Sequence, residues 1–257
     1  MTGFDPSAPS IARIYDYFLG GRDNFAADRA LAQRLMDLFP PIPVAVRENK
    51  QFLDYAVGAI AGEGTEQFID LGCGLPTTPS THGSAWIVNP AARVAYVDTD
   101  PIVVSHLRGL PIREQAGLTI VQGDVRDTDN VLAAVSAGID LSARSCLIMA
   151  ALLHFFPVEA SRDLVARYAA ALAPGSHLIL TMGLADGPAA DRFFALYSKG
   201  SAPLYKHSAE DFASFFGDLP LLPPGIADAR AWHPNWPVVP VPAKRAGEII
   251  VAVARVP

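Results

Sequence analysis

Three aspartates and a pair of glycines are the residues whose types and spacing could do chemistry. Phe68 to Leu75 reads FIDLGCGL, an apolar run that reaches Asp70 and Leu71 and opens into Gly72, Cys73 and Gly74. Two glycines so close let backbone approach a ligand where a side chain would collide. Twenty-four positions past Gly74, Asp98 closes the run that begins at Arg93. An acid about 20 residues beyond a glycine turn, at the end of the next strand, can accept from both hydroxyls of a ribose. Asp124 follows a third apolar run, Leu118 to Val121, where an acceptor could take the exocyclic amine of an adenine. Thr99, Val125 and Ala150 stand at or just past strand ends. With Asp70, Gly72, Cys73, Gly74, Asp98 and Asp124 they make the expected cofactor-binding set. The competing reading is that Asp98 and Asp124 cap the helices that follow. Asp100, with Pro101 behind it, is the better cap, which leaves Asp98 for a ligand.

The type of ligand follows from what surrounds the glycines. A dinucleotide needs its pyrophosphate at a helix N-terminus behind G-x-G-x-x-G/A. Here Thr77 takes the third small position, and Pro76-Thr77-Thr78-Pro79 replaces the tight helix start. An acid-lined site suits a cofactor that carries an ammonium and a sulfonium and no phosphate. S-adenosylmethionine fits that description, with S-adenosylhomocysteine as its product, and NAD fits it less well. No G-x-x-x-x-G-K-[ST] string is present, so a phosphate-cradling loop of that kind is not expected. Methyl transfer from a sulfonium is an in-line displacement, which asks a protein mainly for alignment and exclusion of water. His154 is a weak candidate for a base; its other reading is a packed histidine bonded to a backbone carbonyl. Cys73 reads as a small filler of the turn. No histidine or cysteine spacing suggests a metal.

These residues need a sheet to position them. Short apolar runs at Gln67–Leu71, Arg93–Asp98, Leu118–Gln122, Ser145–Ala151 and His177–Met182 alternate with helical stretches at Gly83–Asn89, Pro101–Arg108, Thr128–Ser136 and Glu159–Leu172. Strands and helices in alternation predict a doubly wound α/β fold with a mostly parallel sheet. Before residue 66 the spacing is helical: a helix from Ile11 with Ser10 as its cap, a second over Ala26–Leu38 and a third over Val44–Ala61. Residues 1–65 therefore read as an N-terminal helical cap and 66–257 as the core. Later, Asp191–Tyr197 and Ala209–Phe216 read as helices, with Ser208 and Asp211 at capping-box spacing. Seven prolines in residues 220–242 predict loop or edge strand, and Gly247–Val256 a final strand. Aromatic residues cluster late: Phe193, Phe194, Tyr197, Tyr205, Phe212, Phe215, Phe216, Trp232 and Trp236. They could be core cover, or Tyr197–His207 could be a lid over an apolar acceptor.

Composition narrows the classes. Half of the 257 residues are hydrophobic and the net charge is -6, which argues against disorder and against a broad nucleic-acid face. Two cysteines, Cys73 and Cys146, lie in or beside apolar runs, so a reducing, cytoplasmic setting is expected rather than a disulfide framework. The start, MTGFDPSAPS, lacks the pattern of a secretory signal. No apolar run is long enough to span a membrane.

The chain also resembles a known family, the actinobacterial S-adenosyl methyltransferases long described as a domain of unknown function. The resemblance rests on ARIYDYFLGGRDNFAAD (Ala12–Asp28), RENKQFL (Arg47–Leu53), FIDLGCGLPT, VAYVDTDP, GDVRD and LLHFFP (Leu152–Pro157). It implies a Rossmann-like class I methyltransferase fold: a seven-stranded sheet with an antiparallel C-terminal strand, under an N-terminal helical cap. It further implies that Tyr15, Arg22 and Asn24 lie over the cofactor, where Arg22 could pair with the methionyl carboxylate. Taken alone, Tyr15 could be a core aromatic, and Arg22-Asp23-Asn24 a polar turn. The chain departs from the family pattern at Ser80-Thr81-His82-Gly83, where relatives read Asn-Val-His-Glu, and at Lys206-His207-Ser208, where relatives often carry Arg-Ser. The function expected is methyl transfer to an unidentified small-molecule acceptor; net charge and the lack of a spanning run argue against a nucleic-acid or membrane partner. The alternatives are a binding protein that holds the cofactor without turnover and, behind it, an NAD-dependent oxidoreductase.

Overall fold

The computed structural model describes residues 5–232 and 247–257. Seven strands form one sheet: β1 (Gln67–Leu71), β2 (Arg93–Asp98), β3 (Leu118–Gln122), β4 (Cys146–Ala150), β5 (His177–Leu184), β6 (Ala227–Asp228) and β7 (Glu248–Arg255). Their order across the sheet is β3-β2-β1-β4-β5-β7-β6. Strands β1 to β5 run parallel, and β7 is antiparallel to both neighbours. The chain order reverses between β1 and β4, so the crevice beyond their C-terminal ends is where such sheets bind ligands. The seven-stranded, mostly parallel sheet with an antiparallel last strand, which the family resemblance implies, is the sheet observed.

The runs are mostly apolar, most of all in the central strands, because both sheet faces are covered. Every residue of β1 is buried. On one face Ile69, Leu71, Ala95, Val97, Leu147 and Leu180 pack under helices α7 (Thr128–Val135), α8 (Val158–Ala170) and α10 (Ala209–Ser214). On the other, Phe68, Val94, Ile148, Ile179 and Val253 pack under α3 (Ile42–Gly62), α4 (Thr81–Val88) and α5 (Pro101–Arg108). Each large side chain so buried contributes about 1.5–3 kcal/mol. A third cluster lies over the ends of β4, β5 and β7, where α1 (Ile11–Leu19) and α2 (Ala26–Leu38) meet α9 (Pro188–Gly200) through Ile14, Phe18, Leu31, Leu35, Phe193 and Tyr197. Helices α1 and α2 thus pack against α9, whereas α3 lies along the sheet.

Several boundaries differ from the sequence reading, each for a local reason. Helix α4 starts at Thr81, two residues before Gly83, because the Ser80 hydroxyl accepts from the Gly83 N–H at 3.1 Å. Helix α3 starts at Ile42, since Pro43 is tolerated in a first turn. Helix α9 begins at Pro188 for the same reason. Strand β5 runs on to Leu184 because β7 pairs with it up to Leu184 and Glu248. The single-turn α6 (Ile112–Gln115) was not expected. Ser10 is the N-cap residue of α1 as expected, but its side chain makes no capping hydrogen bond; its hydroxyl donates to Asp100 at 2.6 Å instead. Asp100 caps α5 as expected, accepting from the Ile102 N–H at 2.8 Å, and the capping box of Ser208 and Asp211 forms. Within the proline-rich stretch the structure shows the short edge strand β6; Trp236 and the stretch's end lie outside the described residues.

Candidate functional site

The end of β1 does not stop at Leu71 in hydrogen-bonding terms. The Gly72 and Cys73 N–H groups both reach the Val97 carbonyl, at 2.8 and 3.3 Å, so the turn stays laced to β2. The next N–H, that of Gly74, donates to Asp98 Oδ2 at 2.9 Å. Asp98 Oδ1 accepts from the Asp100 N–H at 2.9 Å. A carboxylate offers about four acceptor sites, so two backbone donors fix Asp98 and leave it capacity for a ligand. Burial holds its pKa above the ordinary carboxylate value, yet its side chain still reaches solvent at the crevice. Gly74 has φ +67, and a side chain built there would meet nothing within 4 Å. Open space therefore lies over the turn, beside an acceptor with lone pairs to spare.

Asp70 is set deeper. It is 8% exposed and accepts from the Thr81 hydroxyl at 2.6 Å. Burial pushes its pKa up to about 6, against the opposing pull of Thr81 and the nearby Lys50. Asp98 adds to the rise, so these two acids feel each other. Asp124 differs. Its carboxylate is gripped by the Arg126 guanidinium and by the Arg126 N–H, which holds its pKa below the usual value. The structure thus brings Asp70 and Asp98 together, while Asp124 sits at the end of β3, paired and more open. Around them Thr99 is exposed, Ala150 half-buried and Val125 buried. The Val125 carbonyl accepts from the Tyr168 hydroxyl at 3.0 Å. Burial raises the Cys73 thiol well above its ordinary pKa, which suits a filler and not a nucleophile.

The N-terminal residues fall on two different surfaces. Arg22 lines a polar cleft with Lys50, Arg47, Asp54 and Thr77-Thr78, so it faces the loop that follows the glycine turn. Asn24 is buried inside its own turn, donating to Asp16 Oδ2 at 2.7 Å and accepting from Arg29 at 3.1 Å. Gly21 makes that turn possible: a Cβ there would lie 1.9 Å from Asp16 Oδ1. Tyr15 points the other way, into an apolar cavity over the ends of β4, β5 and β7. Its hydroxyl accepts from Asn49 Nδ2 at 3.0 Å, and burial pushes its pKa up to about 12.

His154 also lines that cavity. Its Nε2 accepts from the Gly183 N–H at 3.0 Å, and its Nδ1 faces the Tyr205 carbonyl at 3.4 Å. Burial lowers its pKa to about 4. Both nitrogens are engaged by backbone, so the arrangement is that of the packed histidine, and the base role has no free lone pair to work with. The Tyr197–His207 segment is helix as far as Gly200 and then folds back. The Tyr205 N–H donates to the His154 carbonyl at 2.7 Å, and His207 Nε2 reaches the Leu153 carbonyl at 3.1 Å.

The sequence reading gave no role to Lys50, Asp54, Thr81 or Asn49. Asn49 had a signal: it interrupts an apolar stripe on α3 formed by Ala45, Val46, Phe52 and Ala56. Thr81 had none, because its partner Asp70 lies on another element.

The family model described as S-adenosyl methyltransferase matches residues 1–257. The chain belongs to the S-adenosyl methyltransferase family. A crystal structure from Thermobifida fusca, described as a candidate methyltransferase, is 36% identical with a TM-score of 0.89, covering 97% of this chain and 95% of that one. A DUF574 family protein from Streptomyces avermitilis is 32% identical with a TM-score of 0.90, covering 98% and 99%. The magnesium protoporphyrin IX methyltransferase of Synechocystis, solved with S-adenosylhomocysteine, shares the fold at 15% identity and a TM-score of 0.54, covering 94% and 92%. No curated protein matches the sequence. The chain is therefore an enzyme of a methyltransferase family, and the nicotinamide alternative falls. Among the described residues no helix is long and apolar enough to cross a membrane, and no cluster of His, Cys, Asp and Glu could hold a metal.

Proposed function

We propose that the chain binds S-adenosylmethionine along the ends of β1, β2 and β3 and transfers its methyl group to a small-molecule acceptor. The observation that carries this reading is Asp98. It is clamped by two backbone N–H groups, half-buried, and placed beside open space over Gly74. A ribose can donate both hydroxyls to such a carboxylate. Asp124 takes the adenine amine by sharing its lone pairs with Arg126, against the buried wall of Val125. Gly72, Cys73, Thr99 and Ala150 shape the rim. Arg22 and Lys50, across the polar cleft, meet the methionyl carboxylate. The cofactor supplies an electrophilic methyl; the chain supplies alignment and a dry site.

The same reading places the protein in a reducing cytoplasm, supported by two unpaired cysteines. A nucleic-acid acceptor is disfavoured by the net charge of -6. The test is transfer of radiolabelled methyl from S-adenosylmethionine into fractionated cell extract. Label is expected in the low-molecular-weight fraction, with S-adenosylhomocysteine formed in step. Label confined to protein or nucleic acid would overturn the acceptor class. Tight product binding with no transfer to any fraction would instead favour a protein that holds the cofactor without turnover.

A further inference from the structure

The cavity that Tyr15 and His154 share is walled by Phe18, Phe155, Phe193 and Phe194. It begins where the proposed cofactor rim ends. Ala150 closes β4 and borders the rim, and the next residue, Ala151, lines the cavity. Consecutive Cα atoms are about 3.8 Å apart, so a molecule in the cavity lies within reach of a group held at the rim.

Beside His154, Tyr197 and Glu248, one hydrogen-bonded pair, Tyr15 with Asn49, interrupts the apolar wall. Asn49 is 2% exposed, its Nδ2 donates to the Tyr15 hydroxyl, and its Oδ1 has no partner. A buried amide oxygen without a donor is costly. Having accepted from Asn49, the Tyr15 hydroxyl still has its own proton to give. Exchanging the amide atoms of Asn49 leaves one amide atom unpartnered all the same. The cavity thus presents one donor and one acceptor side by side. Of the ionisable groups that line it, Glu248 lies at the start of β7, within the field of Arg230, which itself pairs with Asp228, and both nitrogens of His154 are bonded to backbone.

We infer that this cavity is the acceptor pocket, and that it takes a neutral, ring-bearing apolar molecule anchored on the Tyr15–Asn49 pair by a group that both donates and accepts a hydrogen bond. The inference rests on the methyltransferase reading above. An O–H gives its proton to Asn49 and takes that of Tyr15. An ether lacks the first bond, and a carboxylate lacks it and brings an uncompensated charge into an apolar wall.

The experiment titrates 1-naphthol, 1-methoxynaphthalene and 1-naphthoate into the full-length protein saturated with S-adenosylhomocysteine, by calorimetry. Naphthol is expected to bind, the methyl ether about tenfold more weakly and the carboxylate least. Tyr15→Phe and Asn49→Leu should each weaken naphthol about tenfold and bring it level with the ether, whereas Phe193→Ala should weaken both. Tyr15→Phe keeps the ring and the packing, so it serves if Asn49→Leu fails to fold. Failure of naphthol to bind, binding unaffected by either polar variant, or displacement of S-adenosylhomocysteine by naphthol would overturn the assignment. Product affinity measured in the same samples reads the cofactor site separately, so a failure there is distinguishable from a failure here.

Discussion

The two sides of the switch point are built by opposite means. Over β1, β2 and β3 the rim is backbone and carboxylate: a glycine turn laced to Val97, and Asp98 clamped between Gly74 and Asp100. Over β4, β5 and β7 the wall is aromatic side chains drawn from α1, the turn at Leu153–Phe155, and α9. The first is fixed by chain neighbours and adjacent strands, so it holds its geometry whatever the acceptor. The second depends on packing between distant segments, so acceptor choice can change there without disturbing the rim. One lesson is that a fold common to many enzymes can keep one half constant and vary the other.

Substitutions on either side test that contrast. The largest effect is expected from Gly74→Val. It forces a β-branched residue to φ +67 and fills the open space over the turn. Affinity for S-adenosylhomocysteine should fall about a thousandfold, while naphthol binding in the cavity persists; equal losses at both sites would erase the distinction.

Next comes Asp70→Asn, read by thermal unfolding against pH. Burial raises the native pKa of Asp70 from 3.8 to about 6, so the native state holds that proton more tightly than the unfolded chain. The group's contribution to stability is complete below about pH 4 and is lost as the pH rises through 6. Asn keeps an acceptor for Thr81 without the buried charge. The variant should gain about 2–3 kcal/mol over wild type at pH 8, with the difference shrinking below pH 4. A constant difference across the range would remove the buried charge from the account.

Smaller effects should follow on the third strand. Asp124→Ala should weaken S-adenosylhomocysteine about tenfold, less than loss of Asp98, because Arg126 already competes for its oxygens. An effect matching that of Asp98 would mean the ion pair opens at no cost. Tyr168→Phe removes one hydrogen bond to the Val125 carbonyl. It should cost about 1 kcal/mol of stability in denaturant unfolding, with product affinity nearly unchanged.

The contrast also explains what could be read from the sequence. Strands β1 to β5 were legible because buried parallel strands are near-continuous apolar runs, and Asp98 because it ends one such run at a telling distance from Gly74. Arg22 was placed near the glycine loop only through family resemblance, and the structure puts it in the cleft beside Thr77 and Thr78. The same resemblance grouped Tyr15 and Asn24 with it. Helical geometry separates them, since Tyr15 and Asp16 on α1 face different sides and Asn24 is consumed by its own turn. The partnership of Tyr15 with Asn49 joins residues 34 apart in the chain, and the apposition of α2 and α9 spans still more. Such long-range pairings leave no periodicity to detect. Arg126 was visible two residues from Asp124, but nothing local showed that it would fold back onto that carboxylate.

On the proposed function, Asp98 is the ligand-bearing acid at this rim and Asp100 is the helix cap beside it. Calorimetric titration of S-adenosylhomocysteine into wild type, Asp98→Ala and Asp100→Ala tests it directly. A loss of about a hundredfold is expected in Asp98→Ala and only a slight change in Asp100→Ala. Wild-type affinity in Asp98→Ala, or an equal loss in both variants, would contradict it.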